Sequence, residues 1–324
     1  MKWNTAAIFT RSMHNNREIE KLRPQRNFLN PDIPYHFLHE QEPGPGGDLQ
    51  RVNTIFLTSK ECAFKCLMCD LWKNTLNEPT PPGAILKQID YALARLPEAD
   101  VIKLYNSGNF FDQKAVPPAD YPGIVERLLP YSRVIVENHP KLCGEACLEF
   151  NDRLEGALEI AMGLETIHLD VLPRLNKQMT ANDFKKAAAF LISHKIDVRA
   201  FVLLNPPYLI TRQENIQWAF NTVQFAFESG AGSCSVIPTR SGNGIMDLLY
   251  ERGHYIPPTL DMLEEVLERS LSLKQGRVFV DTWDIGFLSD CPICFEARKR
   301  RLETMNSDQK FHQRIACSCH SGHA

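Results

Sequence analysis

Apolar residues along this chain recur in two rhythms. Short runs rich in β-branched and aromatic residues, Val52 to Thr58, Val101 to Tyr105, Val134 to Glu137, Thr166 to Asp170, Val198 to Leu204 and Cys234 to Ile237, read as strands at spacings of roughly 30 to 50 residues. Helix-length segments fill the gaps: Ile85, Ile89, Leu93 and Leu96 repeat every three to four positions, as do Phe184, Ala187, Ala188 and Leu191. Trp218 to Phe227 is amphipathic in the same way, and so is the run through Leu260, Leu263, Val266, Leu267 and Leu271. Strand and helix in alternation predict βα units with right-handed crossovers, which build either a barrel or an open, doubly wound sheet. The expected fold is α/β, a partial (βα)6 TIM-like barrel with an N-terminal extension and a small Cys-rich C-terminal tail. Residues 1 to 42 lack sustained periodicity, and Pro43-Gly44-Pro45-Gly46-Gly47 breaks helix and strand alike. The expected division is therefore 1–47 as extension and linker, 48–285 as core, and 286–324 as a Cys-rich basic tail.

With 324 residues, 44% of them hydrophobic, the chain can bury one large core. No run of about 18 apolar residues occurs and the first residues are polar and charged, so a cytoplasmic protein without a membrane segment is expected. The formal net charge of −3 leaves no global footprint for a polyanion. Any RNA contact must be local, and Arg298, Lys299, Arg300 and Arg301, with Lys310 and Arg314, form the one conspicuous basic stretch, which reads first as a solvated helix face. Ser241-Gly242-Asn243-Gly244 lacks the lysine of a phosphate-binding loop and reads as a turn near the barrel mouth, so a nucleoside triphosphatase is not supported.

Seven of the ten cysteines fall in two groups: Cys62, Cys66 and Cys69, then Cys291, Cys294, Cys317 and Cys319. In a cytosolic chain such clusters point to thiolate chemistry rather than disulfides. The first group lies directly after the first expected strand, in Glu61-Cys62-Ala63-Phe64-Lys65-Cys66-Leu67-Met68-Cys69-Asp70. Three soft ligands in one compact loop suit three irons of a [4Fe–4S] cubane and leave the fourth open to a ligand offering an amine and a carboxylate. A zinc site calls for a fourth ligand that this loop does not supply, and the remaining reading is ordinary buried thiols. Strand-end loops are also where βα barrels place their chemistry.

These spacings resemble the radical S-adenosylmethionine superfamily, with Met68 where an aromatic residue usually precedes the last cysteine. The resemblance extends over roughly residues 50 to 319, toward the branch of the archaeosine synthase radical subunit and the elongator catalytic subunit. It is carried by Arg51-Val52-Asn53-Thr54-Ile55, Ser107-Gly108-Asn109-Phe110-Phe111-Asp112, Gly163-Leu164-Glu165-Thr166, Asn176-Lys177, Arg199 to Leu209, Cys291-Pro292-Ile293-Cys294 and Asp308-Gln309. It implies S-adenosylmethionine on the open iron, cleaved to a 5′-deoxyadenosyl radical, with a low-potential flavodoxin or ferredoxin as electron donor and a tRNA nucleoside as substrate. By the same resemblance Ser107 and Gly108 lie near the amino end of the cofactor, while Glu165 contacts its polar groups and is the catalytic candidate. Asn109 and Asn205 depart from the family's pattern, which bears on substrate contacts.

The second cysteine group, C-x2-C followed by C-x-C, can close around zinc or a second iron–sulfur cluster, with His312, His320 or His323 as substitute ligands, or can remain unligated. Cys143, Cys147 and Cys234 read as structural, as do His139, His168 and His254, and Asp170 is a weaker active-site candidate than Glu165. Two other functions fit the same residues: radical chemistry on a small molecule or peptide, and a non-catalytic metal-binding protein.

Overall fold

The computed structural model describes residues 14–289 and 291–320. One sheet organises them, its eight strands in sequence order: β1 (His36–Pro43), β2 (Leu49–Phe56), β3 (Val101–Tyr105), β4 (Arg133–Asn138), β5 (Ala157–Glu165), β6 (Asp197–Leu204), β7 (Ser233–Pro238) and β8 (Arg277–Val280). β1 runs antiparallel to β2, and every later pairing is parallel. Crossover helices, among them Ala84–Leu93, Ala181–Ser193, Arg212–Glu228 and Leu260–Leu271, match the four helical periodicities.

Three details differ from the sequence reading. The stretch after Pro43 is a hairpin turn rather than a linker: the Gly44 N–H donates to the Asp48 carbonyl at 2.7 Å, and Gly47 takes a φ of 85°. The end of the N-terminal extension is thus a strand of the main sheet. The fourth expected strand, placed at 166–170, is instead Ala157–Glu165. A parallel strand buried on both faces reads as a continuous apolar run, and Glu159 interrupts that run with a charge. The sheet also has seven parallel strands where six were expected, because β8 is only four residues long.

Side-chain alternation divides the strands between two interiors. Ile55, Ile102, Leu104, Val134, Val136, Leu158, Ile160 and Met162 join the helices in the main core. Val52, Val101, Ile135 and Ala161 pack together in a separate layer, bordered by Tyr105 and Phe201. The end of the barrel where the parallel strands begin is plugged by charges. Arg199 bonds Glu42 at 3.0 Å and Glu159 at 2.6 Å, and Lys103 bonds Glu40 at 2.9 Å. With that end closed, the opposite, C-terminal end remains for chemistry. β1 and β8 are the two ends of the sheet, bridged by Arg277 donating to the Pro43 carbonyl at 2.9 Å and by His36 stacked on Trp283 at 4.8 Å.

Candidate active site

The cysteine loop leaves β2 at the open end of the barrel. Gln88 fixes its root by accepting from the Thr58 N–H at 2.7 Å and donating to the Thr58 carbonyl at 2.8 Å. Its outer side is tied to the N-terminal segment: Glu61 pairs with Arg23 at 2.8 Å and also with Arg26 and Lys65. Burial alone would raise Glu61, but hydrogen bonds from Lys65, Arg23 and Arg26 outweigh it and hold the carboxyl at about 2. The loop's carbonyls are held from the far side of the mouth. Asn176 donates to Lys65 O at 2.7 Å, and Asn243 donates to Leu67 O at 2.9 Å and Cys69 O at 3.2 Å. Asn243 belongs to the glycine-rich turn, where Gly244 has a φ of 90° and an added Cβ would sit 1.9 Å from the Leu22 carbonyl oxygen. That turn therefore buttresses the cysteine loop.

The segment after β3 closes over the first cysteine. Gly108 passes so near that a Cβ there would lie 3.2 Å from the Cys62 Cβ, and Asn109 donates to the Cys62 Sγ at 3.1 Å. The half-buried Glu137 shapes this segment, its carboxylate accepting from the N–H groups of Asn106 at 2.6 Å and Gly108 at 3.1 Å. Burial raises Glu137 to about 7 against those donors. Ser107, at a φ of 56°, meets the Tyr35 hydroxyl at 2.9 Å. Phe64 of the loop stacks on His139 at 3.8 Å, and burial with the neighbouring Lys177 charge pushes that imidazole down to about 3. His139 is thus packed between Phe64 and the Lys177 carbonyl, which its ring nitrogen meets at 3.0 Å.

Glu165 ends β5 at a φ of 65°, and its carboxylate pairs with the buried Lys177 ammonium at 2.8 Å. Gly163 makes room, since a Cβ there would fall 2.3 Å from Glu165 Oε1 and 2.5 Å from Lys177 Nζ. Lys177 also lies near enough to Cys62 and Cys66 to act on both electrostatically. Asn176-Lys177 belongs to the segments with a family likeness, but nothing in the residue pattern assigned this cation a partner or a place at the mouth. Nor did it reveal that Asn109 reaches sulfur. An aromatic wall continues into the barrel: Phe56 lies 6.1 Å from Tyr105, Tyr105 6.0 Å from Phe201, and Trp283 5.2 Å from Phe56.

Ser107, Gly108, Glu165 and the three cysteines are therefore brought to one mouth, whereas Asn205 turns away and donates to the Ile256 carbonyl at 3.1 Å. Asp170 is exposed, its N–H bonded to His168 at 3.1 Å. Cys147 and Cys234 are buried, and Cys143 packs against Met162. Burial pushes the Cys62 and Cys69 thiols up and Cys66 up to about 12. Thiols so placed ionise readily only beside a strong positive partner such as a metal, and soft sulfur donors near a fixed cation fit an iron–sulfur cluster.

The basic stretch of the tail is largely committed to internal ion pairs. Arg298 and Arg301 are buried, paired with Glu264 at 2.8 and 3.3 Å, and Arg314 pairs with Glu268 at 2.7 Å. Lys299 pairs with its helix neighbour Glu303 at 3.9 Å. Among the described residues, no helix is long and apolar enough to cross a membrane.

No family model matches the chain. It is 28% identical over 236 residues to archaeosine synthase subunit beta of Methanosarcina acetivorans, covering 67% of this chain and 66% of that protein. It is 27% identical over 213 residues to archaeosine synthase subunit beta of Thermococcus kodakarensis, covering 62% of this chain and 65% of that one. The chain thus spans just under two thirds of the length of these relatives. Among solved structures, the archaeal Elp3 of Methanocaldococcus infernus with an N-terminal deletion superimposes with a TM-score of 0.46 at 15% identity, over 60% of this chain and 49% of that one. The chain is therefore similar to archaeosine synthase subunit beta over roughly two thirds of its length, and its barrel mouth carries the C-x3-C-x2-C spacing.

Proposed function

We propose that this chain is an enzyme that binds a [4Fe–4S] cluster through Cys62, Cys66 and Cys69, cleaves S-adenosylmethionine and modifies a nucleoside of tRNA. The observation that carries the reading is the meeting, at the one open end of the barrel, of three buried or half-buried thiols with the Ser107-Gly108 turn and the Glu165–Lys177 pair. When bound, the cluster and the sulfonium cofactor supply a 5′-deoxyadenosyl radical. The protein's own residues hold and orient. Asn109 donates to the Cys62 sulfur, Lys177 offsets thiolate charge, and Glu137 fixes the N–H groups of the turn expected at the cofactor's amino end. The Glu165 carboxylate, beside Lys177 at the mouth, would meet the cofactor's polar groups, and the aromatic wall of Phe56, Tyr105 and Phe201 would help to exclude water from the reaction.

The tRNA half is supported by the similarity to archaeosine synthase subunit beta. Radical chemistry on a small molecule or peptide is the second reading, favoured by the burial of Arg298 and Arg301, which removes half of the basic run from any RNA surface. Anaerobic reconstitution with iron and sulfide, reduction with dithionite and assay for 5′-deoxyadenosine and methionine test the chemistry; no cleavage sinks it. Salt-sensitive binding of tRNA, and a nucleoside lost from tRNA when the gene is deleted, test the substrate. Cofactor cleavage without either result leaves the small-molecule reading.

A further inference from the structure

We propose that Cys291, Cys294, Cys317 and Cys319 hold one zinc ion, and that this ion fastens the helix that caps the open edge of the barrel. The four sulfurs lie within 4.8 Å of one another. Two facing pairs, Cys291 with Cys317 and Cys294 with Cys319, are 3.8 and 3.6 Å apart. Four thiolates at a zinc–sulfur bond of about 2.3 Å occupy tetrahedron corners about 3.8 Å apart, so the pairs are spaced as ligands of a single ion. A disulfide would bring two sulfurs to about 2.05 Å. A second four-iron cluster puts each thiolate on its own iron and spreads the set wider. Four thiolates with no open position are a structural zinc shell, and histidine is not needed to complete it. His312 is engaged with Asp308 at 2.6 Å, and the His320 side chain and His323 lie outside the described residues.

The ligands flank the helix Phe295–Asp308, two before it and two after. The stretch from 309 to 317 has no regular structure and is tied down by side chains: Arg301 donates to the carbonyls of His312 and Gln313, both at 3.0 Å, and Arg314 pairs with Glu268. Asn306 and Gln309, inside the loop that the ion would close between Cys294 and Cys317, do the work of a missing strand. Asn306 accepts from the Val280 N–H at 2.9 Å and donates to the Val280 carbonyl at 2.8 Å. Gln309 treats Val278 the same way, at 2.7 and 3.0 Å. Two amide side chains thus satisfy the outer edge of β8, an edge that would otherwise stand open to another strand. A clip across the base of that loop keeps them in place, and this holds whether or not the mouth performs radical chemistry.

The test is metal content and residue-resolved hydrogen exchange on the full chain, wild type against Cys317→Ser/Cys319→Ser. The expected wild type carries one zinc per chain. The double variant loses it, retains its iron, and exchanges the Val278 and Val280 amides roughly tenfold faster or more, while β4 and β5 stay protected. Should the variant fold poorly, zinc is stripped from the wild type with a chelator and restored, and the two amides follow the metal in both directions. A tail that binds no metal, a lone iron or a second cluster overturns the zinc assignment. Zinc loss that leaves Val278 and Val280 unchanged overturns the fastening role.

Discussion

The chain places cysteines in two sites that the same ligand type equips for opposite tasks. At the barrel mouth the thiols come from one ten-residue loop, burial pushes them up, and a lysine, a histidine ring and three asparagines arrange their surroundings. In the tail the thiols come in pairs from both sides of a helix and converge to within 4.8 Å of one another. There the backbone N–H groups of Cys294 and Ile293 hold the Cys291 thiol down at about 7. On the proposed reading, the first arrangement would supply three ligands and leave room for a reactant, and the second would use four for closure. Ligand count and the shape of the scaffold, rather than the identity of the donor, separate a reactive centre from a staple.

The largest effect that sharpens this contrast is expected from Cys66→Ser. Iron at the mouth and 5′-deoxyadenosine formation should both vanish while tail zinc is kept, as read by metal analysis and product assay; retained cleavage would break the distinction. Next comes Lys177→Met, which leaves the buried Glu165 carboxylate unpaired and should cost about 3–5 kcal/mol in a denaturant titration. Adding Glu165→Gln should recover a good part of that loss, and a strictly additive double variant would deny the pairing.

A pH series addresses Glu137. Its carboxyl stands at about 7 in the folded chain against an ordinary 4.5, so between those values the folded state binds more protons than the unfolded one. Stability contributed by this group is full below 4.5 and is lost as pH rises toward 7, and Glu137→Gln should flatten that part of the profile. An unchanged slope in the variant would remove Glu137 from this role. The smallest effect is Gly108→Ala, where crowding of the Cys62 Cβ should cost about 1–3 kcal/mol and lower iron occupancy at the mouth without touching tail zinc. Equal loss of both metals would point to global unfolding instead.

Much of the mouth is legible in the amino-acid sequence because its signal is local. Cys62, Cys66 and Cys69 share one loop, and Ser107-Gly108 and Glu165 belong to short segments with a recognisable family likeness. Glu137 lies in no such segment, and although Lys177 and Asn109 do, their roles are not legible there, since each of the three acts on a residue at least 12 positions away, through burial that no linear pattern encodes. The basic run at 298–301 misleads for a related reason: charge is visible in sequence, but the partners Glu264 and Glu268, more than 30 residues earlier, are not.

By itself the sequence determined the alternation of strands and helices, the α/β class and the clustering of thiols, because periodicity and ligand spacing are properties of neighbouring residues. Tertiary structure decided that a supposed linker is a hairpin, that the barrel's far end is sealed by ion pairs, and that two distant amides finish the edge of β8. These outcomes depend on which surfaces lose water together, and that is known only once the chain has closed on itself.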